Sequence, residues 1–567
     1  MIASYTPNTT AVGGSLWLTA LIAMLPLATI FVTLGALRWK AHKAGLAALG
    51  VAILVAILAF RMPLGLALLS ASEGAVFGLF PITWIVLTAI WLYQVTVVSG
   101  RFEDLRATFD LISDDPRVQA ILIAFCFGGL MEALAGFGAP VAITGVMLMA
   151  VGFSALRAAM IVLLANTAPV AFGAIAIPII TAGNLTGIDY HDIGAYVGRQ
   201  TPILAAVVPL LLVFLADGRR GLRQTWPVAI VVGLAFGIAQ FVSSNFISVE
   251  LTDIIASLVG LAAGVLMLQV WTPVGRDEAM STLHEERVTE SSRLGVAVSE
   301  SGEPGSVATL PRTAVTQRIT SSTIAMALFP YLLVIAVFSL AKLWTPLKTF
   351  LAARDIKIHW PGLDGEILNK AGKPVSSTVY TFQWLSSPGT LLLICGIVVA
   401  LVYRVPLGRA AGEFGATIAK MRFSMLTIAS VLALAYVMNL SGQTITIGSW
   451  IAGTGAAFAF LSPILGWLGT AVTGSDTSAN ALFATLQQTA ASKAGIDPTL
   501  LVAANTAGGV VGKMISPQNL TIAATAVGLL GQESLIFRRV VWWSIGLLAV
   551  LCLLVGLQST LLSGMLP

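Results

Sequence analysis

Two stretches of this chain, "NTAPVAFGAIAIP" (166–178) and "NTAGGVVGKMISP" (505–517), repeat one polar phrase inside segments apolar enough to cross a membrane. Each begins with Asn-Thr-Ala, has glycine at its eighth position and ends in proline. Pro169 removes a backbone donor from the first phrase, and Gly508 and Gly509 are expected to loosen the helix at the equivalent point of the second. Backbone groups left unpaired by such breaks are costly in lipid. Such a phrase is tolerated where the freed groups line a cavity and bind a ligand. The repeated phrase therefore predicts a binding site made from two broken helices.

The composition of the whole chain predicts a membrane protein. Of 567 residues, 57% are hydrophobic and only 10% are charged, whereas a soluble protein has about 25% charged residues. A single apolar core stops growing near ~250–300 residues, so lipid must cover the remaining apolar surface. We therefore predict an all-α polytopic membrane protein. The three cysteines are far apart and the four histidines are scattered, which predicts no metal site and no cofactor.

Runs of apolar residues predict about 12 transmembrane helices, since each needs about 20 residues. They lie near 14–37, 44–60, 74–98, 158–180, 202–216, 226–247, 254–272, 322–343, 389–403, 424–440, 500–515 and 540–564. Two further apolar stretches are interrupted by "GFGAP" (136–140) and "GSDTSAN" (474–480), and we predict that each forms a re-entrant hairpin. The net charge of +5 comes from Lys and Arg in short loops, which the positive-inside rule explains without a nucleic-acid partner.

The order of these features predicts an internal duplication. "VTVVSG" (95–100) resembles "VMNLSG" (437–442), the Asn-Thr-Ala phrases follow, and Arg199 and Arg538 close the two series. An odd number of crossings between the units would make them inverted repeats, an architecture of secondary transporters. The predicted units are 1–43 (first transmembrane helix and basic inner loop), 44–216 (first inverted repeat, with hairpin 118–152 and broken helix 158–180), 217–272 (connecting transmembrane helices), 273–321 (polar, disordered inner linker), 322–388 (transmembrane helix and outer loop) and 389–567 (second inverted repeat, with hairpin 448–492 and broken helix 500–515).

Residues beside the predicted breaks and hairpin tips are the candidate binding residues. A helix N-terminus presents N–H groups and about half a positive charge, which suits an anionic substrate. The predicted substrate-binding residues are Gly136, Gly138, Asn166, Thr167, Ser475, Thr477, Ser478, Asn505, Thr506, Gly508, Gly509 and Lys513, with helix breaks at Pro140, Pro169, Pro178 and Pro517. The alternative is that these small residues only allow close helix packing.

Three ionisable residues, Glu132, Asp476 and Lys513, lie at membrane depth in this interpretation. Such residues are costly in a membrane and mark functional sites by default. We expect Lys513 to bind a substrate carboxylate and either Glu132 or Asp476 to carry a coupled proton. Glu132 is slightly favoured, and the acid farther from Lys513 is expected to be the carrier. The alternative is a structural ion pair between Lys513 and one of the acids.

Several long segments resemble those of the bacterial lactate permease family. They are "FCFGGLMEALAGFGAPVAIT" (125–144), "NTAPVAFGAIAIP" (166–178), "SNFISVELTDIIASLV" (244–259), "LGWLGTAVTGSDTSANALFATLQ" (465–487) and "AANTAGGVVGKMISPQNL" (503–520). The resemblance covers nearly the whole chain and weakens in 273–321 and 344–388. It implies proton-coupled uptake of L-lactate, D-lactate or glycolate across the bacterial inner membrane, by a carrier with two inverted hairpins.

Two other functions compete with this interpretation. A sodium-coupled carboxylate carrier of the same inverted-repeat architecture is the main alternative. An intramembrane enzyme is disfavoured because no histidine lies in a predicted span, and neither H-E-x-x-H nor G-x-S-x-G occurs. The expected partners are therefore the substrate, a proton and membrane lipid. The sequence leaves the oligomeric state and the preference among the three substrates open.

Overall fold

The computed structural model of the chain describes residues 4–37, 39–102, 104, 112–134, 136, 138–294, 321–368, 372–529 and 532–567. Within these ranges, ten helices are long and apolar enough to cross a membrane. The prediction of an all-α polytopic membrane protein is therefore confirmed.

The helices of the first half form from the apolar runs and are named in chain order. They are α1 (Leu16–Ala23), α2 (Leu25–Phe31), α3 (Ala41–Leu58), α4 (Leu64–Phe77), α5 (Trp84–Val98), α6 (Pro116–Gln119), α7 (Gly128–Leu134), α8 (Ala139–Val151), α9 (Ala155–Ala165), α10 (Gly173–Thr186), α11 (Tyr190–Val197), α12 (Thr201–Val242) and α13 (Thr252–Val270). Wider π-helical turns continue α2, α4, α6 and α12 at Val32–Ala36, Gly78–Thr83, Ala120–Phe127 and Ser243–Ile247.

The second half continues with eleven named helices among the described residues. They are α14 (Arg276–Leu294), α15 (Ser321–Leu343), α16 (Thr345–Ala352), α17 (Pro388–Val402), α18 (Leu407–Ser441), α19 (Gln443–Ile451), α20 (Phe458–Thr473), α21 (Asp476–Ala494), α22 (Pro498–Gly512), α23 (Pro517–Ala526) and α24 (Glu533–Gln558). Short 3-10 turns lie at Ser376–Thr378, Ala452–Ala457, Lys513–Ile515 and Ser563–Met565.

Four helices, α6, α17, α22 and α23, begin with a polar cap followed by a proline. The side chains of Asp115, Ser387, Asp497 and Ser516 each accept a hydrogen bond from a backbone N–H of the first turn. Proline fits the first helical position because no intrahelical partner is needed for its missing N–H. Pro517 therefore begins α23, at the end of the second polar phrase.

The structure joins some predicted spans and shortens others, so the number of about 12 spans is not confirmed. Predicted spans 202–216 and 226–247 are two parts of α12, which bends at Asp217 and Gly218, where Gly218 has a φ of 60°. The predicted span 389–403 corresponds to the 15-residue α17. The predicted span 158–180 is interrupted between α9 and α10.

The polar linker predicted to be disordered contains an ordered helix. Helix α14 covers Arg276–Leu294, while residues 295–320 lie outside the described part of the chain. Its acidic side chains contact the first turn of α9: Glu286 pairs with Arg157 at 2.5 Å, and Glu290 accepts from the Leu156 N–H at 3.0 Å. The prediction of disorder is wrong for α14, because tertiary ion pairs and the buried Leu283 stabilise a segment of polar composition.

The outer loop predicted at 344–388 contains a small folded cap. Strand β1 (Ile356–His359) pairs antiparallel with β2 (Val379–Phe382). The Tyr380 hydroxyl donates to the Phe80 carbonyl at 2.8 Å, and burial raises the pKa of Tyr380 to about 12. The cap is therefore attached to the helical turn that follows α4.

In each half, a glycine of positive φ joins two helices, and an interruption between two helices follows along the chain. In the first half, Gly138 has a φ of 85° between α7 and α8, and residues 166–172 separate α9 from α10. In the second half, Gly474 has a φ of 77° between α20 and α21, and the 3-10 turn Lys513–Ile515 separates α22 from α23. Glycine accepts such positive φ values without steric cost, which explains the glycines at both turns.

The four prolines predicted to break helices lie at different points of these interruptions. Pro169 lies within residues 166–172, and Pro140 and Pro517 lie in the first turns of α8 and α23. Pro178 lies beside a break within α10, in line with its assignment as a helix-break residue. A left-handed turn at 174–176 precedes it, and Pro178 falls where the right-handed part of α10 begins.

Gly508 and Gly509 do not loosen the second helix as predicted. Both lie inside the unbroken α22, and a Cβ at Gly508 would lie 2.0 Å from the Pro463 carbonyl oxygen of α20. Gly466 and Gly512 make equally close contacts between the same two helices. These glycines allow α20 and α22 to pack closely, and the actual interruption begins at Lys513.

Candidate functional site

The three ionisable residues predicted at membrane depth are all buried. Glu132 is 2% exposed, Asp476 3% and Lys513 6%. The Lys513 ammonium donates to Glu132 Oε1 at 2.5 Å, which joins α7 of the first half to the interruption of the second half. The other carboxylate oxygen, Oε2, accepts from Asn166 Nδ2 at 2.9 Å. One carboxylate therefore connects the first hairpin with both helix interruptions.

Backbone positions without a side chain make room for the Glu132 carboxylate. A Cβ at Gly173 would lie 3.1 Å from Glu132 Oε1, and one at Gly136 would lie 3.7 Å from the same atom. The next residues, 174–176, have φ values of 45°, 59° and 57°. This left-handed conformation costs non-glycine residues about 1–2 kcal/mol each. Such strain is typical of functional sites, where the surrounding structure maintains it.

Asp476 lies in the first turn of α21, close to this ion pair in the fold. Its Oδ1 makes a long contact of 3.5 Å with Thr470 Oγ1, and its Oδ2 has no hydrogen-bond partner among the described residues. A Cβ at Gly509 would lie 1.9 Å from Asp476 Oδ1, so glycine is required there. Gly509, predicted as a binding residue, therefore provides the space for a buried carboxylate.

Asn505 and Thr506 belong to a polar network centred on Asn480. The Asn480 Nδ2 donates to the Pro178 carbonyl at 3.0 Å and to Thr506 Oγ1 at 2.9 Å, and its Oδ1 accepts from Asn505 Nδ2 at 2.8 Å. Gln487 Nε2 donates to Asn505 Oδ1 at 3.3 Å. Asn480, Asn505 and Thr506 are 0% exposed. The network thus connects the second hairpin to α10 of the first half, and the sequence had not singled out Asn480.

The remaining predicted binding residues lie at the tips and the first break. Ser475 caps α21 by accepting from the Ser478 N–H at 3.3 Å, and Thr477 is half-buried beside it. Thr167 donates its hydroxyl to the Leu164 carbonyl at 2.7 Å. At the first tip, a Cβ at Gly138 would lie 2.2 Å from Ile522 Cδ1. The first hairpin tip therefore packs on α23 of the second half.

Sequence analysis missed several buried acids, among them Asp253 and Glu73. Asp253, in the first turn of α13, is 0% exposed, and Glu73, in α4, is 1% exposed. The predicted spans began at residues 254 and 74, one position beyond each acid, so both acids were assigned to loops. Moving each span boundary by one helical turn would have placed these acids at membrane depth, where an ionisable residue is a functional candidate.

Two adjoining cavities lie beneath the folded cap that contains β1 and β2. The first, of about 250 Å³, is lined by Asn184 of α10, by Tyr436 and Asn439 of α18 and by Thr485 of α21, among others. The second, of about 320 Å³, shares Asn184 and Tyr436 and also contacts Tyr380 of the cap. Both cavities therefore lie between α18 and helices that belong to the interrupted segments.

Fold and site together define a class of protein. A multi-pass membrane protein whose interrupted helices meet at a buried charged site is a membrane transporter. Comparison with known proteins identifies the family, because the family model described as L-lactate permease matches residues 19–562. The chain belongs to the L-lactate permease family.

Curated relatives agree with this assignment over nearly the whole chain. The glycolate permease GlcA of Escherichia coli (strain K12) is 42% identical over 98% of each chain. The L-lactate permease of Bacillus subtilis (strain 168) is 41% identical over 100% of this chain and 99% of its own. These relatives are named as permeases, and no enzyme family is indicated. Among solved structures, the Alcanivorax borkumensis YdaH transporter has 14% identity and a TM-score of 0.42 over 97% of this chain and 99% of its own, too low to support any argument.

Proposed function

We propose that this chain takes up L-lactate, D-lactate and glycolate by proton symport across the inner membrane of a bacterium. The names of the relatives support the substrate class, since they include L-lactate and glycolate permeases. The observation that carries the coupling mechanism is the buried ion pair between Glu132 and Lys513. It brings together one cation and one anion, and a substrate carboxylate can compete for that cation.

Charge balance gives the proposed coupling step. In the structure the Glu132–Lys513 pair has no net charge. A lactate carboxylate that binds Lys513 displaces Glu132, whose charge is then buried without a partner. Removing one partner of a buried ion pair costs about 3–5 kcal/mol, and a proton on Glu132 removes that charge. One lactate anion and one proton therefore enter together, and the site stays neutral.

This step changes the expectation about which acid carries the proton. The sequence analysis expected the carrier to be the acid farther from Lys513. Glu132 is in contact with Lys513 at 2.5 Å, so that expectation favours Asp476. Competition for Lys513 instead makes Glu132 the carrier, because only Glu132 loses a bonded partner when substrate binds. Asp476 is the second candidate, since its Oδ2 lacks a partner among the described residues.

Recognition of the 2-hydroxyl group is proposed to involve Asn166. Its Nδ2 donates to Glu132, while its Oδ1 is buried without a partner in the described part of the chain. That oxygen can accept the hydrogen bond of a substrate hydroxyl. Gly136, Gly138 and Thr167 would line this side, and the hydroxyls of Ser475, Thr477 and Ser478 the other. Asn505 and Thr506 would act through the Asn480 network, because their polar atoms are already bonded.

The cavities beneath the outer cap are the proposed entrance. They lie against α10 and α21, whose N-terminal parts adjoin the buried charges. In the proposed inverted-repeat arrangement, the two hairpins 118–152 and 448–492 and the two broken helices would move against the remaining helices. The substrate would then face the outside and the cytoplasm in turn.

Uptake of labelled lactate into proteoliposomes tests the proposal. An imposed inward proton gradient, without sodium, is expected to drive lactate above its equilibrium level, and a sodium gradient at equal pH is expected not to. Accumulation driven by sodium alone would favour the sodium-coupled carboxylate carrier. Accumulation with neither gradient, or no transport of lactate, D-lactate or glycolate, would contradict the substrate class or the symport mechanism.

A further inference from the structure

Asp253 is a buried acid to which the proposed transport cycle assigns no role. Its Oδ1 accepts a hydrogen bond from Gln240 Nε2 at 2.9 Å, and both side chains are 0% exposed. The remaining oxygens, Asp253 Oδ2 and Gln240 Oε1, have no hydrogen-bond partner among the residues that the structure describes. One hydrogen-bonded pair of side chains therefore contains two buried acceptors without a donor.

A second contact fixes the orientation of the Gln240 amide. Its Nε2 also donates to the Ala168 carbonyl at 3.1 Å, in the first helix interruption. Rotating the amide would place Oε1 against that carbonyl oxygen and against Asp253 Oδ1, which are both acceptors. The amide therefore cannot supply the missing donor, whereas a proton on the acid can.

We propose that Asp253 binds a proton in this conformation and donates it, as an O–H group, to Gln240 Oε1. A carboxylic acid and a primary amide are complementary, because each offers one donor and one acceptor side by side. A single proton on Oδ2 satisfies both remaining oxygens, and buried polar atoms without partners are otherwise costly. Asp253 is thus a proton site distinct from Glu132 and Asp476.

The charges around Asp253 agree with a neutral acid. None of the Lys, Arg or His side chains in the described ranges forms an ion pair with it, and the cation Lys513 is bound to Glu132. Glu132 lies on α7, which packs against α13, and its carboxylate is paired with Lys513. The other titratable groups on segments packed against α13 include the buried thiol of Cys126 and Glu250, whose carboxylate accepts two hydroxyl hydrogen bonds. The charged residues of α12, Asp217, Arg219, Arg220 and Arg223, lie at its bend, about six helical turns from Gln240. An ionised Asp253 would be a buried charge without compensation.

The contacts of Gln240 connect this proton to the substrate site. Gln240 binds Asp253 on one side and the Ala168 carbonyl on the other, and Ala168 lies two residues from Asn166, which binds Glu132. When Asp253 loses its proton, its Oδ2 and Gln240 Oε1 are two acceptors that repel each other, so the amide shifts and its hydrogen bond to the Ala168 carbonyl weakens. Proton occupancy at Asp253 therefore sets the geometry of the first interruption. This role in transport rests on the proposed function, whereas the bound proton does not.

Infrared spectroscopy of the purified protein in lipid at neutral pH tests the bound proton. We expect a carbonyl stretch from a protonated carboxyl group that Asp253→Asn removes and that exposed Asp277→Asn leaves in place. Gln240→Leu is expected to shift this band to higher frequency, because the O–H group loses its acceptor. If D253N does not fold, the frequency shift of the carbonyl band in Q240L decides whether Asp253 carries the proton. A wild-type spectrum without the band, or a band unchanged in the variants, overturns the proposal.

The pH dependence of lactate affinity tests the coupling. Each linked proton contributes up to about tenfold per pH unit to the apparent dissociation constant. We expect D253N to flatten this dependence and D277N to match the wild type; an unaltered dependence in D253N overturns the coupling role. Proton-driven lactate accumulation by the wild type is measured in parallel. If accumulation fails while the carboxyl band is present, the proposed function fails and the proton site remains; if accumulation occurs without the band, only the Asp253 site fails.

Discussion

The two helix interruptions occupy corresponding places in the two halves, but they carry different chemistry. The first covers residues 166–172, is followed by the left-handed turn 174–176 and supplies the amide of Asn166. The second is a single 3-10 turn, Lys513–Ile515, and supplies a cation. At the offset that aligns the two Asn-Thr-Ala phrases, Lys513 corresponds to Ala174. The repeated phrase therefore provides an interruption in each half. Only the second interruption carries a cation, and the corresponding position of the first is an alanine.

This difference explains why the site is asymmetric. Glu132 in the first hairpin has no acidic counterpart at the aligned position 471, which is alanine, and Asp476 in the second hairpin aligns with phenylalanine at position 137. Two symmetric cations or two symmetric anions would repel each other in a buried site. One acid from the first half and one lysine from the second instead form a neutral pair that joins the halves. The comparison predicts that loss of the cation at the second interruption abolishes binding, and that backbone changes in the left-handed turn of the first alter geometry and stability.

The largest expected effect is that of Lys513→Ala. Loss of the buried ammonium should abolish lactate uptake, because no other described cation is bonded to Glu132. Uptake by proteoliposomes measures the effect, and Lys493→Ala, at an exposed lysine, is the matched control that should transport normally. Because K513A leaves Glu132 unpaired, it should also unfold more easily by about 3–5 kcal/mol.

The double variant Glu132→Gln/Lys513→Ala separates stability from transport. Removing both partners of the pair should restore much of the lost stability without restoring uptake. Normal uptake by correctly inserted K513A would exclude Lys513 as the carboxylate-binding group.

The next largest effect is expected for Glu132→Gln. The neutral amide imitates a protonated acid, so accumulation driven by a proton gradient should be lost, whereas lactate exchange without net proton movement should persist in part. Asp476→Asn is the comparison, and it should reduce accumulation less if Glu132 is the carrier. Should both variants still accumulate lactate in response to pH, neither acid couples the proton.

A smaller effect is expected for Gly508→Ala, which tests where the second interruption lies. A Cβ at Gly508 would lie 2.0 Å from the Pro463 carbonyl oxygen, so α20 and α22 must separate. We expect a loss of stability of about 1–3 kcal/mol, measured as a lower midpoint of thermal unfolding. Gly50→Ala is the control, since nothing lies within 4 Å of its Cβ and alanine favours a helix. Tolerance of G508A would mean that α22 is loose there, as the sequence had predicted.

The sequence predicted the parts of this site that depend on local pattern. Glu132, Asp476 and Lys513 are single charges in apolar runs, and each is buried as expected. Gly508 was assigned to a break because glycine loosens a helix, but here it allows close packing, and a single sequence does not show which helix lies opposite. Asp253 was missed because its position depends on where a span begins, which the apolar run fixes only to within about a turn.

Long-range contacts were beyond the sequence for a further reason. The pairing of Lys513 with Glu132 joins residues in different halves, and two acids were equally available to it. Asn480 looked like an ordinary tip residue, and only its contact with the Pro178 carbonyl of the other half reveals its role. The order of α14 likewise depends on Arg157, far away in the chain. Each of these outcomes follows from tertiary contacts that residue composition does not encode.

The smallest effect is expected for Ala174→Gly, which tests the left-handed turn of the first interruption. Ala174 has a φ of 45° and is 6% exposed. Glycine relieves about 1–2 kcal/mol of backbone strain there. The lost methyl contact and the greater freedom of the unfolded chain lower the free energy of unfolding by a similar amount. We therefore expect A174G to be close to neutral in thermal unfolding. Ala165→Gly, at a buried alanine in the regular helix α9, has no strain to relieve and should lose about 1–2 kcal/mol. The difference between the two variants isolates the strain, and an equal loss in both would mean that residue 174 is unstrained and that the two interruptions are more alike than the structure indicates.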